Sequence, residues 1–560
     1  MADPLFATDT GLSFGLAALV EPPTFLDSLS ATLTLTFGST AVTIAAGDIK
    51  RFDLQIFAFG FTGEVEFWIV CRAASEDTLF DAYVGRDLGL AALSLVRTLS
   101  QQDATPTAVT VTGVVTTKQV YERAVAGVVG APVLTRRYLV SFADRASVLW
   151  KLHRPTQLYV DKSYEAIFTG NAIDGITVTH SWAASTATHA VLALGLGADE
   201  NAASYYDFVF WLLGHSNAGV TYDVAASTYA IIDTKPTSSK SKTLEQAQVA
   251  SLEAYFPSAR RDTVRVANSY TEASTRTKDG TNASSATGVR SDFLMRSKVD
   301  ADLTDRSTTE GTRASQREHE LLVWLNGFPE TPVLPQDSAA LGDGFSAALF
   351  CKANTYRVVE VHVTGAAEQG SAGDNMWAES NRYRCTYGLR LELAANPIFC
   401  APATITPRWP FEVEGNVVSE TGETAELTYQ IYQDTTTTID QYKVKVPLFD
   451  SQVVVAAFEP VTLPGHLYFP SYKDERVLVA LGFDYASVVG FLDWRPGVRT
   501  PIDGQGNQLL MGKQATDQTS IAHVYEDAKP KLTILRNKDG DQQTLRMSDG
   551  DLFIEVKESS

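Results

Sequence analysis

The sequence predicts a mainly β, multidomain chain, and three observations lead to that class. Its 560 residues and 60.8 kDa exceed what one hydrophobic core organises, so several domains are expected. Thr, Val, Tyr and Phe dominate most segments and recur with period two, the spacing of strands with one buried face. Proline clusters at Pro329, Pro332 and Pro335, and at Pro402, Pro407 and Pro410, divide the chain where the pattern changes. With 44% hydrophobic and 20% charged residues, a largely disordered or collagen-like chain is excluded.

The first elements are sheet walls. Ala31–Phe37 alternates cleanly, placing Leu33, Leu35 and Phe37 on one face. Gly63–Cys71, Arg136–Phe142 and Thr355–Val363 read as further strands. Ala202–Leu213 carries Tyr205, Phe208, Val209, Trp211 and Leu212, apolar almost all round, and predicts a buried helix that Gly214 can end. Thr243 with Gln246 forms a T-x-x-Q capping box ahead of Leu244, Ala247, Leu252, Tyr255 and Phe256. That spacing predicts a helix over Ser241–Phe256. The polar stretch Asn268–Arg290 lacks periodicity and reads as a mobile surface loop, and Ala314–Leu325 as helix again. The expected domains are 1–170 and 171–400, both built on β-barrels, the second with a helical insertion at about 241–327.

After the second proline cluster, short strands recur at regular intervals: Lys443–Val446, Arg476–Leu481 and Val488–Leu492. Residues 401–505 therefore suit a small closed barrel of the OB-fold type. The tail, 506–560, changes character. Lys531–Leu535, Thr544–Met547 and Asp551–Val556 are short strands punctuated by Asp539-Gly540 and Asp549-Gly550. Their inward residues are Leu532, Ile534, Leu545, Met547, Leu552, Ile554 and Val556. A ribbon of a few short strands buries too little apolar area to offset roughly 1–2 kcal/mol per residue of backbone ordering. Identical ribbons from several chains can bury those seven residues against one another around a shared axis, which predicts a trimeric core there; a hairpin packed on the preceding barrel is the alternative.

The charge is −20, with 66 Asp and Glu against 46 Lys and Arg. Non-specific attraction to nucleic acid or an anionic membrane is unfavourable, so a protein partner is expected. The four cysteines, Cys71, Cys351, Cys385 and Cys400, form no C-x-x-C pair and no disulfide framework, which fits a reducing compartment. They read as small packed residues rather than a Cys385–Cys400 bridge. No apolar run reaches the ~18 residues of a membrane span, and Gly11–Val20 follows Asp3 and Asp9, not a basic n-region, so no signal peptide is expected.

Catalytic patterns fail on geometry. Gly214–Gly219 resembles a G-x-S-x-G elbow, but its second glycine comes one residue late and it follows a helix, so it reads as helix cap and turn. Glu64 and Glu66 share a strand face, the presentation a glycosidase carboxylate pair could use, but a solvated strand face is by far the commoner cause of such a pair. The eight histidines lack H-x-x-x-H or H-E-x-x-H spacing. Tyr468, Phe469, Tyr472, Phe483, Tyr485 and Phe491 have few cations among them, which favours packing over base stacking. Asn282-Ala-Ser284 matches a glycosylation sequon of the kind that arises by chance. No cofactor, metal site or catalytic residue is expected.

In this element order the chain resembles VgrG, the spike protein of type VI secretion, and its relatives among phage baseplate hubs and central spikes. Val111–Lys118, Arg137–Phe142 and Ser147–Leu152 look like the family's "G-x-V … Y-x-L-x-L … L-x-x-L" passage. Tyr206–Leu213 with Gly219–Tyr222 is similar to "D-x-x-F-x-x-R-L-x-x-x-G-I-x-Y", with Leu212 where Arg is usual. Leu467–Pro470, Asp474–Leu481 and Gly490–Pro496 look like "P-x-x-G-x-E-V-L-V-x-F … G-D-x-x-R-P", with Lys473 in the place of Gly, and Lys443–Pro447 stands for "R-V-R-F-P-W". These departures suggest a distant branch. The resemblance implies a homotrimeric hub that docks the inner tube and contacts baseplate proteins. It also implies a β-helix or β-prism needle carrying a PAAR-type tip protein or an effector. Assembly would take place in the bacterial cytoplasm on a tail-like particle, with delivery outward on contraction. The competing readings are a β-rich hydrolase of peptidoglycan or glycan with an unrecognised site, and a β-rich adhesin.

Overall fold

The computed structural model describes residues 26–27, 29–71, 76–97, 107–125, 133–197, 203–236, 241–271, 273–314, 318–368, 381–419, 431–435, 437–459, 471, 473–492, 506–514 and 516–559. The sequence readings over Gly11–Val20, Leu467–Pro470, Tyr472 and the Asp493–Pro496 end of the barrel passage lie outside the described residues. Mostly β, the chain divides into two compact units. One comprises Met1–Pro155, Tyr164–Ala187 and Leu196–Pro407; the other comprises Thr156–Ser163, Thr188–Gly195 and Arg408–Ser560.

The first unit is organised by a 14-stranded sheet whose main path is antiparallel throughout. The expected strands lie in it as Leu29–Phe37, Gly60–Cys71, Val133–Ala143 and Tyr356–Ala367. Leu33, Leu35 and Phe37 are buried together, as period two requires. The apolar helix is Tyr205–His215, opened by a capping box between Ser204 and Asp207. It runs through Gly214 and ends at Ser216, with Asn217 taking the left-handed turn at φ 51°.

Two expected helices are strands. Ser241–Phe256 forms a strand Ser241–Leu244, a single 3-10 turn Gln246–Gln248 and a strand Val249–Tyr255. The capping box that forms is Glu245 with Gln248, around that one turn. Glu320–Leu325, expected as the end of a helix over Ala314–Leu325, is a strand between Val249–Tyr255 and Tyr383–Leu393; the helix precedes it, at Asp300–Ala314. The reason is tertiary. Leu321 to Leu325 is apolar on both faces, and a ladder covered on both sides takes such a run whatever its helical spacing. The polar stretch expected to be a loop contributes a strand, Thr277–Asp279, paired with Thr263–Asn268.

The second unit contains a closed five-stranded barrel. Phe411–Val418 pairs with Arg476–Leu481, then Ala486–Phe491, Gln452–Ala457 and Asp440–Val446, which returns to Phe411–Val418. In chain order this is 1-2-3-5-4-1 with strands three and five parallel, the topology of an OB-fold. Its core includes Val417, Tyr442, Val444, Val454, Val477 and Val479. A hairpin from far upstream, Thr156–Ser163 with Thr188–Gly195, adds Leu158, Val191 and Ala193 to that same core. Trp409 Nε1 donates to the Ala193 carbonyl at 2.9 Å, and the Ala193 amide donates to the Phe483 carbonyl at 2.8 Å.

Candidate functional site

The tail is a five-stranded antiparallel meander, Asn507–Gln514, Asp517–Glu526, Lys529–Lys538, Asp541–Ser548 and Asp551–Lys557. Two-residue turns set its register. Asp527-Ala528, Asp539-Gly540 and Asp549-Gly550 all have positive φ at both positions (49° and 60°, 51° and 101°, 47° and 91°), the type I′ geometry whose twist matches paired strands. Sequence reading found the last three strands, shorter than they are. It missed the first two, whose signal was the alternation of Ile521, His523 and Tyr525 ahead of a turn lacking glycine.

Register decides which side chains share a face. Leu532 lies opposite Met547, and Met547 opposite Leu552; Ile534 lies opposite Leu545, and Leu545 opposite Ile554; Gln543 lies opposite Val556. All seven residues expected to face inward therefore occupy one side of the sheet. The first two strands extend it with Leu509, Met511 and Ile521. Residues opposite one another across such a ladder sit ~4.5–5.5 Å apart, so this is one continuous apolar surface. The reverse side carries Thr533, Arg546, Ser520, Thr544, Glu555 and Lys557 among its residues; there the guanidinium of Arg546 covers the Phe553 ring at 4.6 Å.

Among the described residues, the apolar side has no second layer. Leu552, Ile554 and Val556 are 63%, 71% and 68% exposed, and Met547 is 44% exposed, while Leu532, Ile534 and Leu545 are only half-buried by their neighbours. A sheet with one hydrophobic face needs another element against it, and an apolar patch of this extent marks an interaction surface. Charge on this side collects at one end, where Lys538 lies 3.5 Å from both Asp517 and Asp539. Those carboxylates raise the lysine's pKa.

Other candidate chemistry resolves into structural roles. Glu66 accepts from Trp68 Nε1 at 2.8 Å and from Arg137 at 2.7 Å. Around Gly214–Gly219, Ser216 Oγ donates to the Leu212 carbonyl at 3.1 Å, a helix-end bond. Burial and the nearby Arg313 push His215 down to about 4, and its Nδ1 bonds the Trp211 carbonyl. The Asn282 amide donates to the Arg260 and Asp262 carbonyls at 3.1 and 2.9 Å, so it is already engaged. Several buried carboxylates have cations: Glu392 takes Lys235 and Arg357, Glu320 takes Arg390, and Asp77 takes Arg136. Buried Asp144 instead accepts from the Tyr229 hydroxyl at 2.7 Å and from the Ser147 and Phe61 amides at 2.9 and 3.2 Å. In the barrel, Phe483 is buried against Trp409 and Phe491 packs on Phe458, while Tyr485 is exposed. The four cysteines form no disulfide, and three of them are buried. Among the described residues no three His, Cys, Asp or Glu side chains converge as metal ligands, and no helix is long and apolar enough to cross a membrane.

A β-rich first unit, an OB-type barrel and a terminal meander together make up a VgrG-like fold. Three solved structures carry that likeness. A chain of the lidded Francisella PdpA-VgrG complex superposes with a TM-score of 0.73 at 11% identity, covering 98% of this chain and 82% of that one. The half-lidded Francisella complex gives 0.72 at 11%, covering 98% and 92%. A lidless PdpA-VgrG complex gives 0.70 at 12%, covering 95% and 99%. No protein-family model and no curated protein sequence matches the chain.

Proposed function

We propose that this chain is the hub and spike of a contractile injection machine and works as a homotrimer. The observation that carries the reading is the terminal sheet: an apolar face with no second layer among the described residues, following an OB-type barrel in a VgrG-like fold. Three copies packing these faces around one axis would each supply the layer the others lack. In this reading the first unit docks the inner tube and baseplate proteins, and the needle carries a PAAR-type tip protein and effector cargo. Particles assemble in the bacterial cytoplasm and deliver the spike outward on contraction.

The role is mechanical, not catalytic. Splaying the needle would expose apolar surface on three chains at once, at ~25 cal/mol per Å², so load is spread over a cooperative interface. Native mass measurement tests this. A stable species at three times 60.8 kDa is expected, and particle images should show a three-fold ring with a central needle. A monomer at micromolar concentration overturns the proposal.

A further inference from the structure

His523 lies on the apolar face of the terminal sheet. It sits opposite Asn507 on one side and Leu532 on the other, in the row that continues through Met547 and Leu552. Its diagonal neighbours are Leu509, Pro530 and Ile534, and along its own strand it has Ile521 and Tyr525, whose ring stands edge-on at 5.3 Å. Tyr525 is the only titratable group among these. Lys531 and Glu526 pair with each other at 2.7 Å, and Lys531 projects from the reverse face. Asp517, Arg536, Lys538 and Asp541 lie toward the other end of the apolar face. No carboxylate shares the row of His523 to receive an added positive charge.

We propose that His523 makes packing of the terminal sheets pH-dependent: the faces associate with neutral imidazoles and separate when these take up protons. This rests on the trimer reading above and adds its regulation. Histidine is the side chain that changes charge near neutrality, with an ordinary pKa of about 6.5. Packing the face against two copies moves three imidazoles from half-exposure into an apolar interface, where like charges repel and water is excluded. Adding a proton to these imidazoles therefore costs more in the assembled state than in the separated one, so association is strongest where histidine is neutral and is lost on acidification. For an ordinary histidine kept neutral in the packed state, one pH unit below its midpoint costs about tenfold per chain, on the order of a thousandfold in the trimer association constant.

The test uses the full chain and His523→Gln, followed by native mass and by amide hydrogen exchange over residues 507–557 between pH 8 and pH 5, corrected for intrinsic exchange rates. The wild-type trimer should weaken, and its last four strands lose protection, on going from pH 7.5 to 5.5, while His523→Gln stays flat. Acid loss at His215 is common to both proteins and cancels in the comparison. His523→Leu should associate at least as tightly as wild type at every pH. A wild-type trimer indifferent to pH, or one that weakens in parallel with His523→Gln, overturns the role of His523 and leaves the trimer intact. Absence of a trimer at pH 8 in all three proteins overturns the underlying reading instead.

Discussion

The barrel and the terminal ribbon are built from the same material and reach opposite outcomes. Each has five main strands of six to ten residues with alternating apolar positions. In the barrel Val444, Val454, Val477 and Val479 are fully buried, whereas in the ribbon Ile554 and Val556 remain mostly exposed. The difference is closure. A sheet that returns to its first strand becomes its own second layer, while a meander with two-residue turns stays open and must find that layer elsewhere.

The strongest way to break the contrast is Ile554→Asp. It should abolish association of the ribbons, because a trimer would place three carboxylates near one axis at several kcal/mol each unless they protonate. Melting of the barrel should stay unchanged. Unaltered oligomerisation in native mass would place the packing surface elsewhere. Next in size is Gly195→Ala, in the upstream hairpin. An added Cβ would come within 2.3 Å of the Phe411 ring, and such overpacking costs roughly 1–3 kcal/mol. The barrel should melt earlier although the change lies more than 200 residues before its first strand, with ribbon association retained. The smallest effect is expected at the turns. Gly540 has φ 101°, so Gly540→Ala should cost ~1 kcal/mol by strain, seen as faster amide exchange in the last two strands without loss of trimer.

Much of this was legible in the order of residues, for local reasons. Leu33, Leu35 and Phe37 declared a strand face, and Asp539-Gly540 and Asp549-Gly550 declared hairpin turns, because side-chain alternation and positive φ are properties of a few adjacent residues. The seven apolar residues of the ribbon were legible for the same reason: two-residue turns transmit register from strand to strand, so one face could be followed without knowing the rest of the chain.

What failed in sequence reading required distant partners. Ser241–Phe256 and Glu320–Leu325 carry helix-compatible spacing, and only their ladders make them strands: Ser241–Leu244 with Ser338–Leu341, Val249–Tyr255 with Glu320–Leu325, and the latter with Tyr383–Leu393. The hairpin that completes the barrel core was equally invisible, since nothing in Thr156–Ser163 points to Phe411 or Val454. Composition and short-range pattern thus determined the β class, the turns and the sidedness of the tail. Tertiary structure alone decided which ambiguous segments joined the large sheet and which upstream strands closed the core, because burial is supplied by residues hundreds of positions away.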